Sequence, residues 1–286
     1  MFNKTLPVII VLALILSACT FNVTFPGTQQ VGPVTTDQVT VPLPDSASQP
    51  VDLTLHFGAG TLDLTPASET TALVSGTATY NIADFKPVIT VNGSNIGVEQ
   101  GNWKLTGIPN LTNIKNEWKL ALGSTPLALT IDGGAYQANY EFGGLALTNL
   151  TVSDGAAQVK MNFASPNLAE MTLLSYSTGA SNVTISGLGN ANFSSLEFDS
   201  GAGNYTLDFS GQMKRAGSVH IGTGVSNFTL VIPTGLLTQV TVKGGLSNVA
   251  YDSAWTHTGS VYSQPGTGPQ LTIVVEIGAG NLTLTH

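Results

Sequence analysis

The sequence predicts an all-β fold: a β-solenoid, like a parallel β-helix, with rungs of about 22 residues, preceded by a less regular β unit. Two observations predict it. The first is a phrase that keeps returning. It reads Gly201-Ala202-Gly203-Asn204-Tyr205-Thr206-Leu207, and recurs starting at Gly179, Gly224 and Gly278, with looser copies at Gly58, Gly134, Gly155 and Gly245. Its fourth positions, Gln137, Gln158, Asn182, Asn204, Asn227 and Asn248, are spaced by 21, 24, 22, 23 and 21 residues, a period typical of stacked repeats. The second is what surrounds the phrase. Tyr205, Leu207 and Phe209 alternate with Thr206 and Asp208, as Val183 and Ile185 do with Thr184. Period-two alternation marks a strand with one buried face.

Each unit therefore reads strand, Gly-Asn turn, strand, second turn. Gly and Asn tolerate left-handed backbone, which suits a turn. One unit cannot bury its apolar face alone, but copies stacked about 4.8 Å apart can. The six Gln and Asn residues would then form a turn ladder, with side chains hydrogen-bonded along the stack.

In chain order, Lys4 and the apolar run Leu6–Ala18 read as a signal peptide over residues 1–18, too short to span a bilayer of about 30 Å. The run ends in Leu16-Ser17-Ala18-Cys19. Residues 19–50, rich in Thr, Gln, Pro and Gly, read as a flexible tether. Residues 51–128 read as the irregular β unit, with Trp103 and Trp118 as packing residues. Residues 129–286 carry the repeat. There the period breaks, with 33 residues from Asn248 to Asn281. The insertion 252–270 holds Trp255, His257 and Tyr262, which are candidate binding residues. The same loop is equally readable as a cap over an exposed strand edge.

Composition narrows the function classes. Only 9% of the 286 residues are charged and the net charge is −8, which argues against nucleic acid. Cys19 is the only cysteine, so no intrachain disulfide can form. The Asn-x-Ser/Thr triplets fall out of the repeat and need not signal glycosylation. His56, His220, His257 and His286 are scattered, and no metal, cofactor or catalytic motif is present. Asp132 and Asp154, each directly before a repeat glycine, are the best candidates for paired carboxylates that share a cation or act as acid and base; Asp is also an ordinary turn residue. The threonines Thr184, Thr206, Thr229 and Thr283 would form one narrow column, interrupted by Lys160 and Ala250, unlike an ice-binding grid.

The stretch around Cys19 resembles a bacterial lipoprotein lipobox, which implies cleavage before Cys19 and its lipidation. The stretches Asn116–Leu122, Pro126–Ile131, Gly133-Gly134-Ala135, Phe142–Leu147, Phe163–Asn167 and Gly187–Phe193 resemble the toast-rack family of bacterial envelope proteins over roughly residues 50–286. More distantly the chain is similar to β-helical putative adhesins and to the C-terminal domain of LiaF-like cell-wall stress proteins. The resemblance implies an envelope β-solenoid without enzymatic activity. The expected function is that of a lipid-anchored, extracytoplasmic envelope protein that binds or scaffolds at the surface, with a glycan or surface protein as partner. The alternative is a sensory partner of an envelope-stress system, and the least favoured reading is a polysaccharide-active enzyme. LiaF-like regulators carry membrane helices before this domain, whereas here only the lipobox-like segment precedes it.

Overall fold

The repeat phrase folds each rung into one long strand bent at its middle. The computed structural model describes residues 31–44, 50–68, 71–101 and 113–286, with the backbone only at 246 and 247. All of these except Val31, Asn113 and Ile114 belong to one unit, 32–103 and 115–286; the other unit, 1–31 and 104–114, lies almost wholly outside the described residues.

In chain order the strands are β1 (Thr35–Pro42), β2 (Val51–Pro66), β3 (Ala72–Tyr80), β4 (Pro87–Asn92), β5 (Asn95–Gln100), β6 (Asn116–Leu122), β7 (Leu127–Glu141), β8 (Leu147–Asn162), β9 (Met171–Ser186), β10 (Phe193–Asp208), β11 (Gly217–Val231), β12 (Gly235–Ala250), β13 (Thr256–Thr258), β14 (Val261–Gln264) and β15 (Gly266–Thr285). The long strands β2, β7, β8, β9, β10, β11, β15 and β12 stack in parallel in that order.

Burial along β9 explains the bend. Leu174, Tyr176 and Thr178 point inward on the first arm, Ser181, Val183 and Ile185 on the second, and Gly179 and Ala180 face outward in succession. Two consecutive outward residues reverse the side-chain parity, so both arms bury their apolar faces in one interior. The corner needs glycine because neighbouring corners nearly touch. A Cβ on Gly201 would lie 2.5 Å from the carbonyl oxygen of Gly179, and one on Gly224 would lie 2.6 Å from that of Gly201. The interior is filled by fully buried side chains such as Tyr176, Phe198, Tyr205 and Phe228. Phe198 stacks on Tyr176 at 5.3 Å and meets Phe228 edge-on at 5.4 Å.

The Gly-Asn phrase is therefore a corner inside a strand, not the turn expected. Among the described residues only Asn192 is a non-glycine with positive φ, at 56°, so the ladder asparagines are extended. The left-handed angles fall on glycines instead, such as Gly280 at 136°.

At the start of the stack the two arms part company. The first arm of β2 continues to β5 and its hairpin partner β4, and the second arm continues to β6, β3 and β1. Two expected boundaries move. β2 is already a full rung in register with β7, so the stack begins at Val51 rather than 129. The tether expected over 19–50 contains β1, which pairs antiparallel with β3. Val39 and Val41, at 1% and 0% exposure, anchor it; two alternating valines suffice in an edge strand that buries one face. Trp118 is fully buried on β6, edge-on to Phe57 at 5.2 Å. Trp103 lies outside the described residues.

At the other end the order departs from the sequence. β15 enters between β11 and β12, so Asn281 sits inside the stack rather than at its end. β12 becomes the outer rung, and the antiparallel hairpin β13–β14 continues the sheet beyond its first arm.

Candidate functional site

The ladder residues form one row: Gln137, Gln158, Asn182, Asn204, Asn227, Asn281 and Asn248 occupy equivalent positions across β7 to β12. Within it the amides of Asn182, Asn204, Asn227 and Asn281 bond head to tail. Asn204 Nδ2 donates to Asn182 Oδ1 at 2.8 Å, Asn227 to Asn204 at 3.0 Å and Asn281 to Asn227 at 2.9 Å. The row is exposed, and the four asparagines from Asn182 to Asn281 bond one another along it. It stiffens the corner and offers a partner little.

The insertion 252–270 divides by burial. Trp255 is only 4% exposed and belongs to the core. It closes the interior beneath the hairpin, with its indole nitrogen buried and unpaired. His257 is exposed and Tyr262 half-buried, and their rings stack at 5.4 Å with an interplanar angle of 16°. Tyr251 completes the group. It is 41% exposed, meets Tyr262 edge-on at 5.2 Å and hydrogen-bonds His257 Nδ1 through its hydroxyl at 3.0 Å. Burial of Tyr262, and then the neighbouring Tyr251, raises the Tyr262 phenol pKa above its ordinary value, so the Tyr262 hydroxyl keeps its proton near neutrality. The result is a surface cluster of three mutually packed rings on the outer rung. Sequence reasoning named His257 and Tyr262 but missed Tyr251, which stands one residue before the insertion. The signal was an aromatic three residues beyond the last ladder position.

The acidic candidates do not converge. Asp132 lies in register with Ser153, and Asp154 with Gly133. That single offset sends the two carboxylates to opposite faces. Asp132 is on the surface, 3.2 Å from His56 Nδ1, beside an open hollow of about 440 Å³ lined by Gln100 and several glycines. Asp154 is 8% exposed and points into the interior. It accepts hydrogen bonds from the Tyr176 hydroxyl at 2.6 Å, from Thr178 and from Ser181 at 3.0 Å. Burial, and then the charge of Asp154, pushes the Tyr176 pKa far above its ordinary value, which keeps that hydroxyl a donor. The buried acid thus has its hydrogen bonds satisfied, as a polar group inside a core must. His220 is exposed beside Glu197 in register. His286 bonds the Ile232 carbonyl at 3.0 Å and Asp252 at 3.1 Å. Among the described residues no three His, Cys, Asp or Glu side chains gather as a metal site. Cys19 lies outside the described residues.

Another hollow, about 730 Å³, lies on the outer face of the second arms. Asp63, Lys119, Glu141 and Lys160 rim it, over a floor that includes Ser75, Gly76 and Ala121. Asp63 is bonded by Asn139 at 2.8 Å and Glu141 by Asn162 at 2.6 Å, so its acids are engaged.

The family described as the N-terminal domain of toast_rack, DUF2154, matches residues 30–186. The chain belongs to the toast_rack family. The matched region covers β1 to β9, and the remaining rungs continue the same repeat. No curated protein matches the toast_rack chain. Among solved structures it is similar to a putative cell adhesion protein from Clostridium sporogenes, with 17% identity, 88% of this chain and 99% of the other covered, and a TM-score of 0.50. It is also similar to a putative lipid binding protein and a putative adhesin, both from Parabacteroides distasonis. They show 13% and 12% identity and TM-scores of 0.38 and 0.34; each comparison covers 88% of this chain and 97% of the other. At these identities the likeness is one of fold.

Proposed function

We propose that this toast_rack protein is a lipid-anchored, adhesin-like protein of the bacterial cell envelope, and that the Tyr251–His257–Tyr262 cluster on its outer rung contacts an envelope glycan. The cluster is the observation that carries the reading. Elsewhere the outer faces of the rungs are mostly Thr, Ser, Asn and Gly with scattered charged side chains such as Lys160 and Glu197. Here three packed rings, one 41% exposed, offer flat apolar surface edged by a hydroxyl and an imidazole. That combination stacks on the C–H face of a sugar and hydrogen-bonds its hydroxyls, and aromatic side chains commonly carry most of the binding energy of an interface. The lipobox-like segment ending at Cys19 and the low charge support an extracytoplasmic, membrane-tethered setting. The C. sporogenes protein of the same fold, described as a putative cell adhesion protein, supports a surface role.

The test is binding of purified protein to isolated cell envelopes, with the double change Tyr251→Ala and His257→Ala. Both residues are exposed and neither belongs to the core. Binding is expected to weaken about tenfold or more, with the melting temperature unchanged. Undiminished envelope binding by the double variant would overturn the reading.

A further inference from the structure

Resting on the glycan contact proposed for the Tyr251–His257–Tyr262 cluster, we infer that His286 is a positioning residue for that site: its imidazolium clamps the turn at Asp252, so the cluster binds more tightly in mildly acidic than in alkaline solution.

The ring of His286 stands between two acceptors. Its Nδ1 lies 3.0 Å from the Ile232 carbonyl oxygen, and its Nε2 lies 3.2 and 3.1 Å from the two carboxylate oxygens of Asp252. A carbonyl and a carboxylate only accept. A neutral imidazole has one N–H and serves one of them; the imidazolium has two and serves both. The protonated ring is therefore the form that fits. In agreement, the bond to the Ile232 carbonyl, and then Asp252, raises the His286 pKa above its ordinary value. On losing a proton the ring keeps its bond to Ile232, a buried residue that water replaces poorly. It then turns a lone pair toward Asp252, whose side chain is 47% exposed and easily solvated.

What the clamp holds is the base of the cluster. Ile232 follows β11, and its N–H donates to the Thr285 carbonyl at 2.8 Å. Asp252 opens the insertion. Its carboxylate also accepts from the Ala254 N–H at 2.9 Å, and its carbonyl from the Trp255 N–H at 3.2 Å. This turn joins Tyr251, the exposed ring, to Trp255, which is fixed in the core. Tyr251 is thus held through its chain neighbour Asp252 and through its hydroxyl on His257 Nδ1. Fixing a binding surface in its bound geometry before the ligand arrives raises affinity. Among the described side chains Asp252 is the titratable group that acts on His286. On the strands packed nearby, Lys243 and Glu276 pair with each other at 3.2 Å on the first arms of β12 and β15, and His220 is on the first arm of β11. Tyr251, His257 and Tyr262 are titratable within the cluster itself, so the test removes His286 alone.

The assay is binding of the purified full chain to isolated envelopes from about pH 5.5 to about pH 8.5, a span that brackets histidine titration. The parent and His286→Ala are measured side by side. His257 titrates in both, so the ratio of their affinities isolates His286. The parent should bind about two- to fivefold more tightly than His286→Ala in acid, the range of one exposed charged contact, and the ratio should fall toward one at the alkaline end. Asp252→Asn, whose amide can donate to a neutral imidazole, should keep its acid-side affinity throughout. A second readout uses no ligand. Exchange protection of the Ala254 and Trp255 amides, corrected for the intrinsic effect of pH on exchange, should fall as pH rises in the parent and stay level in Asp252→Asn. A ratio that is constant across the range, or parent protection that stays level, would overturn the clamp. If the Tyr251→Ala and His257→Ala double variant binds envelopes undiminished, the glycan contact fails instead, and amide exchange alone decides whether the clamp exists.

Discussion

Inserting cysteine pairs on the outer face of the second arms tests the entry of β15 between β11 and β12 directly. Thr229 and Thr283 are register partners on β11 and β15, and Thr283 and Ala250 are partners on β15 and β12. Adjacent strands lie about 4.8 Å apart, so Thr229 and Thr283 are within disulfide reach. Thr229 and Ala250 are two strands apart, about 9.6 Å, beyond the roughly 7 Å limit for a bridge without backbone movement. If the rungs stacked in chain order the distances would be reversed, because β12 would follow β11. With Cys19→Ser as background, Thr229→Cys/Thr283→Cys should oxidise fully and Thr229→Cys/Ala250→Cys should not. The first bridge closes a loop of about 55 residues, for which loop-closure entropy gives at most about 4 kcal/mol. At a few degrees per kcal/mol for a chain of this size, melting should rise by several degrees on oxidation. The assay is a non-reducing gel with thiol counting, followed by thermal melts with and without reductant. Ready closure of the 229–250 pair, with the 229–283 pair left open, would refute the strand order.

Replacing Asn204 or Asn281 with Val should cost about 1 kcal/mol each by loss of ladder bonds; chemical denaturation checks this, and a near-zero cost at Asn281 beside a clear cost at Asn204 would contradict its place inside the row. Replacing Cys19 with Ala should release the protein from the membrane fraction or leave its signal segment uncleaved, read by fractionation and mass spectrometry; unchanged detergent partitioning would refute lipidation. His286 has a pKa raised above 6.5 by its bond to the Ile232 carbonyl and, after that, by Asp252. A raised folded pKa means that its contribution to stability is complete below the unfolded value near 6.5 and fades as pH rises through the folded value. The melting difference between the parent and His286→Ala should therefore shrink on going from mildly acidic to alkaline buffer, and a difference that grows with pH would reverse the assignment.

The repeat was legible because each rung states its burial twice, once per arm, and because the phrase between the arms is fixed by close backbone approach. What the sequence left open follows from the same physics. Gly-Ala-Gly-Asn looks like a turn, yet the parity reversal from Thr178 to Ser181 is visible only once both arms are known to face one interior. The tether estimate failed at β1 because a one-sided edge strand needs only Val39 and Val41. The paired-carboxylate reading failed by one register position, and a single offset changes the face of a strand residue. The aromatic cluster was half legible: aromatics in the insertion were conspicuous, but Trp255 and Tyr262 read alike until burial separated them. Trp255 fills the end of the core and Tyr262 packs with Tyr251 and His257 at the surface.

The order of the last rungs follows from which strand gains more by being enclosed. A strand inside the stack buries its apolar face between two neighbours, whereas the outer rung has a neighbour on one side and borrows cover on the other. In β15 the inward residues are Leu271, Ile273, Val275 and Ile277 on the first arm and Leu282 and Leu284 on the second, all 0–2% exposed. In β12 the corresponding positions are weaker. Thr238 stands in register with Leu271, Gly244 with Ile277 and Val249 with Leu282, and Val242 and Val249 remain partly exposed. Buried apolar area contributes roughly 25 cal/mol per Å², so the richer strand belongs inside and the polar-interrupted one outside. Exchanging them would strand Leu271, Ile273, Val275 and Ile277 on the outer rung, under a hairpin that pairs only with Thr238–Thr241. The 33-residue interval between Asn248 and Asn281 is then the length of chain that crosses the outer rung, builds the β13–β14 cover with Trp255 beneath it, and returns to enter the stack. Cap and aromatic cluster are two faces of one hairpin. Because burial holds Trp255 and the β12 pairing holds Val261–Gln264, the rings of Tyr251, His257 and Tyr262 are presented on a fixed base rather than on a free loop.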